Sequence, residues 1–490
     1  MTAPAEARRA SDSHMAASFL WYDLETWGIC PRRSRIAQFA AQRTDLELNP
    51  IGEPVMLWAA PALDLLPSPQ AALVTGLDPC DIAERGLREA ECIAAIHAEM
   101  REPGTCSVGW NTLRFDDEFI RYGLYRNFFD PYEREWADGN SRWDLLDFAR
   151  LVHALRPEGI EWPRHEDGSP SFRLEHLAAA NGIAHYAAHD ALSDVQATLD
   201  VARLLRARQP RLWAYHLEFR RKDRARTLLD PVRGEPVLHV TSRFPGRRGG
   251  AGIVLPLAEH PSAPNQIIVC ELHEDPAALI ELPPEAIVER VFIRADALPE
   301  GQTRISLKTV HLNRCPALVE LRHVREHELE RLELDRARCL AHAARLRAAP
   351  DLAERLRRAF TRTPGGDVDP DQALYAALPD RRDAARRAAV RRCPPEQLAE
   401  LADGWHDARG PELLFRYRAR NWPQTLNAAE RQRWRAYREL RLTSKGPLSE
   451  HDFEGYQAEI ARLREETTEP RQRALLDRLS QWGDWLASYP

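Results

Sequence analysis

The sequence predicts an α/β domain with a mixed sheet at the N-terminus, a β-containing domain in the middle and an α-helical domain at the C-terminus. Three observations predict it. Strand-like runs come first and then alternate with helix-like ones as far as residue 208. From 209 to about 360, short β-like runs sit among Pro/Gly punctuation. From Asp371 to Trp485 the apolar spacing is largely helical. A chain of 490 residues agrees with two or three cores better than with one.

Taken in order, Phe19–Glu25 is a β-rich run, and Ile36–Thr44 and Pro54–Ala60 are further strands. Asn49-Pro50-Ile51-Gly52 between the last two reads as a turn. Gly86–Met100 has helical spacing, Thr105–Trp110 reads as a strand and Phe115–Phe128 as a helix. Ser171–Ala180 reads as a helix stopped by Asn181-Gly182, and Asp190–Arg208 as a long helix opened by a polar turn. The middle region offers strands at Val237–Thr241, Gly252–Leu257, Ile267–Leu272 and Arg304–Leu312, then a helix over Glu326–Arg347. Pro364-Gly365-Gly366-Asp367 reads as a linker. The expected division is a loose tail over 1–17 and domains over 18–208, 209–361 and 367–490. Trp405, Trp422, Trp434, Trp482 and Trp485 are expected as anchors of the last.

Composition removes several classes. With 44% hydrophobic and 29% charged residues the chain is not disordered. No apolar run approaches the ~18 residues of a membrane span, so a membrane protein is not expected. The first seventeen residues lack the apolar core of a secretion signal. Eight scattered cysteines without a Cys-x-x-Cys pair fit reduced thiols in a cytoplasmic protein, not a disulfide framework or zinc site. The net charge of -6 does not announce a nucleic-acid binder, and only three lysines are present. Any polyanion site must come from locally concentrated arginine.

The sharpest local signal is Trp21-Tyr22-Asp23-Leu24-Glu25-Thr26. In a strand, Asp23 and Glu25 share one face and Tyr22 and Leu24 the other. Two carboxylates among apolar neighbours are costly unless compensated, and a divalent cation would compensate them. Asp-x-Glu alone also occurs on solvated strands. Asp116 follows the Thr105–Trp110 strand at a strand-to-helix junction, where it either faces the same sheet end or, with Asp117 and Glu118, offsets the helix dipole. His189 precedes a helix and Asp194 stands one turn inside it; His189 is otherwise a cap or packed ring, with Asp190 as the capping group. Phosphodiester hydrolysis by two metals needs hard oxygen ligands holding two Mg²⁺ roughly 4 Å apart, and a base for the attacking water. Asp23, Glu25, Asp116 and Asp194 with His189 supply both.

The order Asp-x-Glu … Asp … His-x-x-x-x-Asp resembles the DEDDh-type 3′–5′ exonucleases. The connecting stretches resemble one family among them, the bacterial exodeoxyribonuclease I family. They are Ala37-Gln38-Phe39-Ala40, Arg43-Thr44-Asp45, Arg114-Phe115-Asp116-Asp117-Glu118, Tyr125-Arg126-Asn127-Phe128 and Asp130-Pro131-Tyr132. Further along stand Asn140-Ser141-Arg142-Trp143-Asp144-Leu145-Leu146-Asp147, Ala154-Leu155-Arg156-Pro157-Glu158-Gly159-Ile160, Pro170-Ser171-Phe172-Arg173-Leu174-Glu175-His176-Leu177 and Tyr417-Arg418-Ala419-Arg420-Asn421. The resemblance implies a ribonuclease H-like exonuclease domain, a Src-homology-3-like domain and a helical domain around a groove for single-stranded DNA. It implies 3′→5′ release of 5′-mononucleotides in DNA repair and recombination, by a monomer using two Mg²⁺, with Mn²⁺ as a substitute. Asp23, Glu25 and Asp194 carry over as metal ligands, Asp116 as a ligand directly or through water, and His189 as general base. Glu25 also falls near the terminal 3′-hydroxyl.

Single-strand binding calls for arginines at phosphates and rings against bases. Arg173, Arg121 and Arg142 with Tyr132 and Trp136 are the candidates beside the acidic motifs, and Trp143 is expected in the core. Residues 202 to 250 hold thirteen Arg/Lys against four Asp/Glu. The family implies a partner, the C-terminal tail of single-stranded DNA-binding protein, for which Tyr215 and the Arg220–Arg226 cluster are candidate contacts. Two rivals stand beside this reading: an exoribonuclease acting on RNA 3′ ends, and a non-catalytic single-strand-binding scaffold. A pure binder gains nothing from four acids that repel phosphate.

Overall fold

The computed structural model describes residues 17–185, 189–293, 297–298, 304–361, 368–444 and 446–489. Residues 1–16 of the expected tail and the Pro364-Gly365-Gly366-Asp367 linker lie outside the described residues.

The strand β1 (Ser18–Thr26) is central because both its faces are apolar along most of its length. Leu20, Tyr22 and Leu24 share a core with Ile93, Ile96 and Phe119. Phe19 and Trp21 share another with Val195, Leu199 and Ala202 of the Ala191–Arg208 helix. Around it run β2 (Ile36–Thr44), β3 (Pro50–Trp58), β4 (Thr105–Gly109) and β5 (Ser141–Asp144), in the order β3-β2-β1-β4-β5. The β1–β2 and β2–β3 pairs are antiparallel; β1–β4 and β4–β5 are parallel, so the sheet is mixed. The parallel pairs bring the C-terminal ends of β1, β4 and β5 to one edge, where open α/β sheets place their sites.

Several elements differ from the sequence expectation. The turn before β3 is Asp45–Asn49, not Asn49–Gly52: Asp45 accepts from the Asn49 N–H and side-chain amide, each at 2.8 Å. Pro50 then opens the strand, a position where its missing N–H costs little. The helix expected over Ser171–Ala180 begins at Leu174, with Arg173 at its N-cap. The Glu326–Arg347 helix is two helices, Glu326–Arg331 and Arg336–Ala348, divided where Glu333 turns left-handed (φ 53°) and Asp335 caps the second. Strand β5 and the Leu145–Leu155 helix complete the first layer.

The second sheet is antiparallel throughout, in the order β10-β6-β7-β8-β9. Its strands are β6 (Val237–Val240), β7 (Ala251–Glu259), β8 (Gln266–Glu271), β9 (Leu307–His311) and β10 (Ala317–Glu320), with Pro256 at a bulge in β7. The third region is helical, with long helices Gly410–Asn421, Ala428–Thr443, Phe453–Glu466 and Pro470–Ser488. Trp434 and Trp482 are buried there, whereas Trp485 is exposed. None of the eight cysteines forms a disulfide, and among the described residues no helix is long and apolar enough to cross a membrane.

Charged seams join the third region to the first sheet. Asp64, fully buried, accepts from Arg420 (2.8 Å) and Arg441 (2.7 Å). The loop leaving β1 is also clasped: Glu450 accepts from the Cys30 N–H (2.8 Å) and the Ile29 N–H (3.4 Å). In return Arg33 donates to the Gly446 and Ser449 carbonyls, and Arg441 to those of Arg33 and Leu448. Gly28 permits the approach, because a Cβ there would lie 2.7 Å from a Glu450 carboxylate oxygen.

Candidate active site

The period of β1 carries Asp23 and Glu25 onto the face that holds Phe19 and Trp21, opposite Ala40 and Gln38 of β2. An apolar row thus ends in two acids at the sheet edge. Asp116 opens the Asp116–Arg126 helix, is buried, and accepts from the Leu24 N–H at 3.1 Å, between those two acids in β1. From the other side Asp190 caps the Ala191–Arg208 helix by accepting from the Ser193 N–H (3.1 Å), which places Asp194 in its first turn. Asp194 accepts from the His189 N–H (3.3 Å) and bonds the His185 ring (2.5 Å). His189 holds a left-handed backbone (φ 66°), which costs a residue with a Cβ about 1–2 kcal/mol. Ligand atoms of Glu25, His189 and Asp194 lie within 4.8 Å of one another.

Electrostatics set this cluster apart. Burial raises the Asp23 carboxyl well above its usual range, and Asp116, Glu25, Asp194 and Asp190 push it further. Burial followed by Asp194, Asp116 and Asp190 lifts Glu25 to about 9. Burial raises Asp116 well above its ordinary value too, and raises Asp194 against the opposing effect of His185. The charged groups acting most strongly on Asp23 and Glu25 are all carboxylates. A hard divalent cation is the species such an oxygen cluster fits.

Asp117 shows the contrast. It is fully buried one residue along, yet Arg134 (2.5 Å), Arg142 and the Tyr22 hydroxyl (2.8 Å) all bond it. Those cations outweigh burial and hold its carboxyl far below the usual range. Asp117 stands in the first turn of the helix, as expected from sequence, and is also the centre of an ion network.

The expected strand contacts divide. Arg121 and Arg142 are buried and committed to Glu135 at 2.7 and 2.8 Å, and Arg142 also donates to the Asn313 carbonyl. Both guanidiniums are thus engaged within the protein. Tyr132 is half-buried with Arg121 over its ring, whereas Trp136 is 68% exposed. Arg173 is exposed and bonds Glu175 at 2.5 Å. Trp143 is core, donating to His216 at 3.0 Å. Sequence reasoning missed His185; its one legible signal is a second histidine four residues before His189 on the same loop.

Three family models match in succession. "Exonuclease" covers residues 20–202, "Exonuclease I SH3-like domain" 220–362 and "Exonuclease I C-terminal domain" 368–486. Exodeoxyribonuclease I of Escherichia coli is 40% identical over 479 residues, covering 97% of this chain and 99% of that one. The Haemophilus influenzae enzyme is also 40% identical, over 95% of this chain and 98% of its own. Among solved structures, exonuclease I from Methylocaldum szegediense superposes with a TM-score of 0.92 at 48% identity, covering 96% of this chain and 99% of that one. E. coli exonuclease I in complex with a dA16 oligonucleotide gives 0.90 at 40%, covering 96% and 100%. That enzyme's complex with single-stranded DNA is also known in zinc-bound and metal-free forms. The three models follow one another along a single chain and the likeness to these relatives runs nearly end to end, so the chain belongs to the exodeoxyribonuclease I family.

Proposed function

We propose that this chain is a Mg²⁺-dependent 3′→5′ exonuclease that degrades single-stranded DNA to 5′-mononucleotides, in DNA repair and recombination. The observation that carries the reading is the cluster of Asp23, Glu25, Asp116 and Asp194, in which all four carboxyls are raised by burial and those of Asp23 and Glu25 are raised further by neighbouring carboxylates. A site that repels phosphate in this way serves phosphate chemistry only with cations in it. Two Mg²⁺ held by these four carboxylates, with Mn²⁺ as a substitute, supply Lewis-acid polarisation of the scissile phosphate.

The chain's own groups do the rest. His189 is the general base, its ring beside Glu25 and Asp194, and it takes the proton of the attacking water. Glu25 orients the terminal 3′-hydroxyl. Arg173 holds a phosphate near the scissile end, and Trp136 and Tyr132 offer rings to the bases. Arg173 leaves Glu175 readily, since an exposed pair contributes only about 0–1 kcal/mol. The enzyme works as a cytoplasmic monomer with domains over 18–208, 209–361 and 367–490. The tail of single-stranded DNA-binding protein docks beside Tyr215, where Arg221 and Lys222 are exposed. Arg224 and Arg226 of that cluster pair with Glu218 and Glu259.

A 5′-labelled single-stranded oligonucleotide, digested with and without Mg²⁺, tests the reading. A ladder shortening from the 3′ end only with metal is expected, faster on DNA than on matched RNA. Shortening from the 5′ end, or undiminished activity in excess chelator, overturns it.

A further inference from the structure

Asp194 is held at both oxygens. His185 Nε2 lies 2.5 Å from Oδ1, and the His189 N–H donates to Oδ2 at 3.3 Å. The His185 and Asp194 side chains are 8% and 15% exposed, so little water competes for the contact. An ionised carboxylate only accepts, so His185 donates from Nε2, and each Asp194 oxygen keeps a lone pair for another ligand. The two histidines of this loop are differently placed. His189 brings a ring nitrogen to within 4.8 Å of ligand atoms of both Glu25 and Asp194, whereas His185 spends Nε2 on one oxygen of Asp194.

We propose that His185 is a positioning residue, which fixes the Asp194 carboxylate in the orientation that receives the metal. The inference rests on the metal reading above. Asp194 stands in the first turn of its helix, where its side chain is free to swing unless something pins it. The His189 backbone pins one oxygen and remains whatever residue 189 becomes; among the described residues only the His185 side chain pins the other. Ligating carboxylates are oriented by such outer hydrogen bonds, and losing one typically weakens metal affinity about 10–100-fold.

The test is Mn²⁺ binding without DNA, followed by the paramagnetic resonance of the free ion, on the full-length protein. Wild type, His185→Ala, His185→Asn and His185→Gln are compared, with a thermal melt of each. His185→Ala should lose about 10–100-fold in Mn²⁺ affinity, and the Mg²⁺ concentration for half-maximal digestion should rise by a similar factor. Gln carries an N–H donor close to the place of Nε2 and should recover most of the loss; the shorter Asn should not. A general packing role predicts no such order. Unchanged affinity in His185→Ala overturns the inference, as does equal affinity of the Gln and Asn variants, which decides the matter even if the Ala variant fails to fold. Wild type that binds no Mn²⁺ overturns the metal reading itself.

Discussion

At the scale of the residue, Glu25 shows what the acidic cluster does to a single group. Its carboxyl stands near 9 instead of 4.5 because it is buried beside Asp194 and Asp116. The folded metal-free protein therefore keeps a proton on Glu25 that the unfolded chain releases. Stability from this group is complete below the ordinary carboxylate value and is lost as pH rises toward about 9. Urea unfolding of the metal-free protein should show that fall, Glu25→Gln should flatten it, and Mg²⁺ should remove it by stabilising the ionised form. Arg173 gives a second prediction. Arg173→Ala should leave the melting temperature nearly unchanged and lower the log–log salt slope of single-strand binding by about 0.7, equally for all base sequences. A lower melting temperature with an unchanged slope would mean that Arg173 serves only its pair with Glu175. Asp23 and Glu25 are legible in the sequence because a two-residue period puts them on one face. The partners of Arg121 and Arg142 are not, because Glu135 meets both only after the chain has folded.

At the scale of the element, the first turn of the Asp116–Arg126 helix presents two adjacent acids to opposite surroundings. Asp116 faces the cluster and Asp117 faces Arg134 and Arg142. Asn at either position keeps shape and removes charge. Asp116→Asn should abolish digestion while leaving stability equal or higher, since it relieves repulsion and still accepts from Leu24. Asp117→Asn takes the close counter-charge from buried Arg134 and one of two from Arg142, which keeps Glu135, and should cost about 3–5 kcal/mol in urea melts. Equal stability of the two variants would refute the division. Element boundaries are legible where local chemistry decides them: β2 runs over the expected residues, and Asp190 caps its helix as read. They are misread where a side chain acts at a distance along the chain, as Asp45 does on Asn49. Strand β5 is short and buried throughout, so no alternation marks it.

At the scale of the whole molecule, the three-part order is legible because strand and helix spacing change along the chain, but the seams between parts are not. Asp64 and Arg420 are 356 residues apart in sequence, and nothing local links them. Asp64→Asn should destabilise the protein by about 3–5 kcal/mol and expose the Gly410–Asn421 and Ala428–Thr443 helices to limited proteolysis, read by mass spectrometry. Intact C-terminal fragments would show that the seam does not hold that region. The Glu450 clasp carries a consequence for synthesis. Translation delivers Asp23 and Glu25 early, whereas the carboxylate that secures the loop behind them emerges more than four hundred residues later. A chain still on the ribosome thus has its acidic strand but not the anchor of that strand's exit loop. The exit loop is secured only once residue 450 has been made, and a nascent chain that stalls short of it lacks the anchor.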